Sequence, residues 1–318
     1  MIITIGSFDG FHRGHAALLD LCRTYSSSDG WGVVTFYPHP SEYINGQAHS
    51  LFTLREREFI RRLLEIPNMY ILEFNEALKN LTPLQFWRLI REKFRVDGLV
   101  MGEDFHFGHN RAGSADYLAR IAQHEGLSKI FVLALIDKAK FSSSNVRNLV
   151  QLGKVREAGE ILGYPYFIIG RVLHGDRRGR TMNYPTANIE IADGKIIPSE
   201  GVYCSAVLVN GEWYCGAVSV GRNPTFRDVH ELRCEVNILG FEGEIYGSEV
   251  GVFFLERVRD MVKFRDKDEL TAQIGRDVEA CGKIYEASMK ALSSRDFLTK
   301  GENICLSGEL TPEVIRLV

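Results

Sequence analysis

The sequence predicts two successive domains of different class: an α/β, Rossmann-like half on a parallel sheet, then an all-β antiparallel half followed by one long helix. Three observations carry this. The length of 318 residues exceeds the roughly 100–200 usual for one domain. Short apolar runs alternate with helical periodicity as far as about residue 160. From about Tyr166 the runs become strand-like and are broken by glycine, proline and asparagine.

In the first half Ile2–Ile5, Gly32–Phe36, Tyr70–Phe74, Gly98–Met101 and Lys129–Ala134 read as strands. Between them Thr53–Leu64 sets Leu54, Phe59, Ile60, Leu63 and Leu64 on a helical stripe, and Thr82-Pro83 supplies the next helix with an N-cap and an N1 proline. Strands joined by crossover helices run parallel, and their ligand site lies beyond the carboxyl ends. In the second half Phe167–His174, Val202–Val209, Trp213–Val220, Leu232–Leu239 and Val250–Val258 have the spacing of an antiparallel sandwich or barrel. From Lys267 to about Leu292, Leu270, Ile274, Val278, Cys281 and Ile284 recur at helical intervals, so one amphipathic helix caps or flanks the sheet. Gly163 and Pro165 end a helix and redirect the chain, which divides it into 1–163 and 164–295, with a tail, 296–318, of no assigned role.

Composition excludes several classes of function. Hydrophobic residues at 45% and charged residues at 25% are the balance of a soluble globular chain, not a disordered or fibrous one. A formal net charge of -3 gives no cationic field for nucleic acid or an anionic membrane. The six cysteines form no C-x-x-C pair and no zinc-spaced cluster, so they read as reduced thiols. With no signal-like N-terminus and no run near the ~20 apolar residues of a spanning helix, the expected location is cytoplasmic.

Chemistry concentrates in two places. Directly after the first strand, Gly6-Ser7-Phe8-Asp9-Gly10-Phe11-His12-Arg13-Gly14-His15 leads into an apolar helix. Its glycines Gly6, Gly10 and Gly14 let backbone approach a ligand, and the helix N-terminus offers free N–H groups to a phosphate. His12 and His15 flank Gly14, so both imidazoles can donate to phosphoryl oxygens as charge develops. Capping of a tight turn is the plainer alternative. Ser142-Ser143-Ser144-Asn145-Val146-Arg147 enters another helix, with serines that cap or bind phosphate and Arg147 as a guanidinium fork; capping alone also accounts for the serines.

The second place follows a basic, flexible loop, Gly175–Gly179. Thr186 and Asn188 are two apart, so in an extended segment their oxygens share one side and suit a hard cation such as Mg²⁺, which takes few protein ligands. In Leu232–Leu239 the apolar residues share one face and leave Arg233, Glu235 and Asn237 on the other. A carboxylate there can accept a proton from an attacking hydroxyl, although a solvated, inert strand glutamate is the plainer alternative.

These blocks in order resemble the prokaryotic bifunctional riboflavin kinase/FAD synthetase family. Gly6–His15, Thr35-Phe36-Tyr37-Pro38-His39-Pro40, Gly102-Glu103-Asp104-Phe105-His106-Phe107-Gly108 and Ser142–Arg147 are similar to its FMN adenylyltransferase module. Pro185-Thr186-Ala187-Asn188, Gly221–Phe226, Glu235 and Gly240–Gly247 are similar to its riboflavin kinase module. The resemblance implies a nucleotidyltransferase fold, then a six-stranded barrel. It implies ATP as co-substrate, Mg²⁺, and riboflavin and FMN as the other substrates. His12, His15, Arg147 and Glu235 would be catalytic; Gly6, Phe8, Asp9, Gly10, Gly14, Ser142, Ser143, Gly175 and Gly179 would hold nucleotide or phosphate. His39, Asp104 and Phe105 would contact flavin, and Thr186 and Asn188 the metal.

Four positions depart from the family pattern. Tyr37 stands where an acidic residue is usual, His106 for arginine, Asn183 for glycine, and Met261 where glutamate commonly follows Arg259-Asp260. They keep open a flavin-binding protein with a degenerate site, and the first turn alone leaves open a nucleotidyltransferase for another phosphate acceptor.

Overall fold

In the computed structural model residues 1–26, 30–46, 50–134, 141–174, 185–222, 232–294, 296–306 and 314–315 are described. The elements of the first half are β1 (Ile2–Ile5), α1 (Arg13–Tyr25), β2 (Trp31–Tyr37), α2 (Pro40–Asn45), α3 (Leu54–Leu63), β3 (Asn68–Glu73) and α4 (Glu76–Lys79). Next come α5 (Pro83–Lys93), β4 (Gly98–Gly102), β5 (His106–Phe107), β6 (Gly113–Ser114), α6 (Ala115–His124), β7 (Lys129–Leu133), α7 (Ser143–Gln151) and α8 (Val155–Leu162). The remainder is β8 (Tyr166–Leu173), β9 (Ala187–Ile189), β10 (Gly201–Val209), β11 (Glu212–Arg222), β12 (Leu232–Ile238), β13 (Glu249–Arg259), α9 (Lys267–Ser293), α10 (Phe297–Glu302) and β14 (Val314–Ile315).

β1 and β4 are buried along their whole length, as central strands of a sheet covered on both faces must be. The parallel order is β3-β2-β1-β4-β7, with Ile2 beside Trp31 on one side and Gly98 on the other. The chain steps outward through β2 and β3, then returns to the far side of β1. The switch point therefore falls between β1 and β4, where open α/β sheets bind ligands. The tail, unassigned from sequence, contributes β14 as a parallel neighbour of β3, with Val314 beside Ile71. Thr82 forms a full capping box with Gln85 at the start of α5, as Thr-Pro predicts.

The second half closes into the predicted six-stranded barrel, β10-β11-β12-β9-β8-β13. The strand not separately discerned in the sequence is β9, only three residues long. α9 begins on Asp266, whose side chain accepts from the Glu269 N–H, and packs along β10, β11 and β13 as the flanking helix.

Packing divides the chain into two units, Met1–Ser50 with Ile60–Ser143 and Thr311–Val318, and Leu51–Phe59 with Ser144–Leu310. This division follows contacts rather than position, so it differs from a single cut near residue 163. Leu51–Phe59 joins the barrel unit through burial of Phe52 and Phe59 against Phe167. Glu56 pairs with Lys195 at 2.8 Å, both sealed from solvent, and its other oxygen accepts from the Ile169 N–H at 2.9 Å. The Lys195 ammonium also lies over the Phe52 and Tyr166 rings and donates to the Leu51 and Phe167 carbonyls. Paired and hydrogen-bonded on every side, this charge meets the condition under which burial is tolerated.

Candidate functional site

The first site grows from the turn after β1. Gly10 has φ 106°, and Phe8 and Phe11 have φ 39° and 44°, a backbone that side chains rarely adopt and that must be held by its surroundings. The holding comes from stacking. The Phe8 and Phe11 rings are buried with centroids 5.3 Å apart, and Phe8 meets His15 edge-on at 4.8 Å. His12 and His15 stack at 3.8 Å. A Cβ on Gly14 would come within 3.0 Å of His12 Nδ1 and 3.1 Å of Phe141 Cβ, so only glycine leaves the His12 ring where it is.

Two other sequence blocks converge on this turn. The Thr35 hydroxyl donates to the Ser7 carbonyl at 2.8 Å, and the Ser143 hydroxyl to the Asp9 carbonyl at 3.0 Å. The structure thus brings together Gly6, Phe8, Asp9, Gly10, His12, Gly14, His15 and Ser143 at the switch point. Burial lowers the His12 pKa to about 4, against the attraction of Asp9 and Asp104. Burial, then the His12 ring, drives His15 well below its ordinary value. Both imidazoles are neutral at pH 7, and the Nδ1 of each has no hydrogen-bond partner among the described residues. Neutral rings can still donate one N–H each to a phosphoryl oxygen.

Other expected residues are placed differently. His39 caps α2, its Nδ1 accepting from the Ser41 N–H at 3.2 Å. Phe105 stacks on Phe107 at 5.3 Å, and exposed His106 bonds the Asp104 carbonyl through Nδ1 at 2.8 Å. Arg147 lies on α7 in the barrel unit. Gly175, Gly179 and Asn183 lie outside the described residues.

The second site lies on β9, β11 and β12. Ala187, Ile189, Cys234 and Val236 are buried, which turns Asn188 and Glu235 to the opposite face. Glu235 is paired in register with Asn188 on one side and Ser219 on the other. A cavity of ≈ 240 Å³ opens there, with Thr186, Glu235, Asn237 and Ser219 among its polar lining. Its apolar walls include Val202, Ala217 and Val218 of the barrel, Leu270 and Ile274 of α9, and Met261, Val262 and Phe264. Arg259 also lines it, locked two-pronged onto Asp277 at 2.9 and 2.6 Å and lying over the Phe264 ring. Met261 is 47% exposed and lies with its sulfur 3.9 Å from the Ser219 hydroxyl, which donates to it. The Asn188 Oδ1 is buried with no hydrogen-bond partner among the described residues. An unsatisfied hard oxygen two residues from Thr186 fits the demands of Mg²⁺.

Comparison with known proteins follows these two sites along the chain. A family model for FAD synthetase matches residues 1–145 and one for riboflavin kinase matches residues 162–285. The chain is 35% identical over 286 residues to the bifunctional riboflavin kinase/FMN adenylyltransferase of Listeria monocytogenes, covering 87% of this chain and 90% of that one.

The chain belongs to the bifunctional riboflavin kinase/FMN adenylyltransferase family.

Identities to members from Bacillus subtilis and Escherichia coli K12 are 34% and 33%, each over 87% of this chain and 90% of the relative. A solved structure described as a macrolide-efflux protein from Streptococcus pneumoniae is 32% identical, with a TM-score of 0.79 over 88% of this chain and 93% of that one. Among the described residues here, no helix is long and apolar enough to cross a membrane. The enzyme carries both activities of its family, riboflavin kinase and FMN adenylyltransferase.

What the sequence reading missed is the wall of the second site. Asn237 appeared only as a polar-face residue, and Ser219, Arg259 and Asp277 not as lining. The alternation Arg233, Glu235, Asn237 was the available signal; the cavity itself arises from α9 and the chain before it, which no local pattern reveals.

Proposed function

We propose that the barrel cavity is where riboflavin becomes FMN and the β1 turn is where FMN becomes FAD. In the barrel the apolar walls take the flavin ring, and the polyol chain points to Glu235. The terminal ribityl hydroxyl attacks the γ-phosphorus of ATP and loses its proton to the Glu235 carboxylate. The new O–P bond makes FMN as the bond to ADP breaks. Thr186 and Asn188 would hold Mg²⁺, which when bound neutralises phosphate charge. Thr186 and Asn188 orient the nucleotide against β9, and the walls exclude water from the attacking hydroxyl.

At the turn, an FMN phosphate oxygen attacks the α-phosphorus of ATP and pyrophosphate leaves. No base is required, because the attacking phosphate is already ionised at neutral pH. His12 and His15 donate to the oxygens on which charge accumulates, while the backbone of Gly6–Gly14 cradles the triphosphate. Ser142 and Ser143 would steady the departing pyrophosphate, and His39, Asp104 and Phe105 the flavin. The formal net charge of -3 offers no basic field for nucleic acid, and the free thiols suit the cytoplasm.

The observation that carries the reading is Glu235, in register with Asn188, lining with Thr186 the cavity of a closed barrel. Incubating the full chain with riboflavin, ATP and Mg²⁺ and separating the flavins tests it. Wild type yields FMN and FAD, Glu235→Gln yields neither from riboflavin but still converts added FMN, and His15→Ala stops at FMN. FMN accumulation by Glu235→Gln at the wild-type rate would remove the base.

A further inference from the structure

Asn237 sits on β12 two residues beyond Glu235, so both side chains leave the same face of the strand, and both line the cavity. It is only 8% exposed. Its Nδ2 donates to the Pro185 carbonyl at 2.7 Å, while its Oδ1 is buried with no hydrogen-bond partner among the described residues. A buried, unsatisfied carbonyl oxygen is destabilising, and a leucine of similar shape avoids that cost. The amide therefore earns its place through its donor, whose partner is the Pro185 carbonyl.

Pro185 stands at a weak point of the sheet. The β9–β12 pairing runs from Cys234 with Ile189 to Val236 with Ala187. Proline has no N–H with which to extend a ladder. The Asn237 amide supplies one more rung from a side chain, fixing the carbonyl end of the planar Pro185–Thr186 peptide. Thr186 then cannot swing away from the strand that carries Glu235.

We infer that Asn237 is a positioning residue of the kinase site, whose clamp on the Pro185 carbonyl sets the spacing between the Thr186 hydroxyl and the Glu235 carboxylate. This rests on the nucleotide role proposed above for Thr186. The nucleotide side of the reaction is presented by β9 and the base by β12, and Asn237 is the cross-link between them.

The test varies ATP and riboflavin separately in the kinase reaction of the full chain, with FMN adenylylation as the control for intact protein. Asn237→Leu removes the donor and the stranded acceptor together. Its KM for ATP should rise roughly five- to tenfold, the worth of about one hydrogen bond, with KM for riboflavin, adenylylation and Tm near wild type. A structural filler would instead lower Tm and leave KM for ATP alone. Asn237→Asp keeps the shape but donates only when its carboxyl is protonated, so its excess KM for ATP over wild type should shrink as pH falls toward about 5. A wild-type KM for ATP in Asn237→Leu, or a pH-independent excess in Asn237→Asp, overturns the inference. Thr186→Val separates the two levels. If it raises KM for ATP while Asn237→Leu does not, the clamp alone fails; if it leaves KM for ATP unchanged, the role of Thr186 fails and the clamp with it.

Discussion

Under the proposed function, the two sites of this chain handle the same nucleotide with opposite materials. The β1 turn uses two stacked, neutral imidazoles held by buried phenylalanines on strained backbone. The barrel uses a hydroxyl, amides and one carboxylate on regular strands beside an apolar cavity. The difference follows from the two nucleophiles. A phosphate arrives already charged and needs only donors for the charge it transfers; an alcohol arrives protonated and needs a base. The first site accordingly centres on donors, and the second on an acceptor.

That contrast can be broken most directly at Glu235. Glu235→Gln should lower riboflavin phosphorylation by about 10²–10⁴-fold and leave FMN adenylylation unchanged, measured on each flavin separately. If both steps fell together, the sites would not be chemically independent. The reciprocal change, His15→Ala, should cost roughly 10²–10³-fold in pyrophosphate release with kinase turnover retained. Gly14→Ala sharpens the point, since its methyl displaces the His12 ring without removing it. About a tenfold loss in adenylylation is expected, read as kcat against KM to separate misplacement from weakened binding.

The smallest effect concerns acid. His12 has its pKa lowered from 6.5 to about 4, so unfolded chains take up a proton there that folded ones refuse. Its contribution to stability is intact above pH 6.5 and falls as pH drops from 6.5 toward 4. His12→Ala should therefore lose Tm less steeply than wild type across that window. Parallel curves would mean that His12 is not held neutral by its surroundings.

Much of this was legible in sequence because the signals are local. Alternation along Leu232–Ile238 set Glu235 apart from Cys234 and Val236, and Thr82-Pro83 announced α5. The parallel sheet followed from strands separated by helices. Less legible was whatever depends on distant chain. β9 is too short to show a period, and it is a strand because β8 and β12 flank it. Phe8 and Phe11 looked like turn residues, yet their rings are core. Asn237 read as one polar residue among three, because its meaning lies in a carbonyl far upstream.

Leu51–Phe59 carries a practical warning for anyone wishing to express the kinase alone. Lys195 is a sealed ammonium whose counter-ion, Glu56, is encoded well ahead of the barrel. A gene trimmed to begin after residue 143 loses Glu56 together with Phe52 and Phe59, so the ammonium loses its counter-ion and Phe167 its cover at once. A separable kinase must bring its own carboxylate, through a grafted helical start or a neutral residue at position 195.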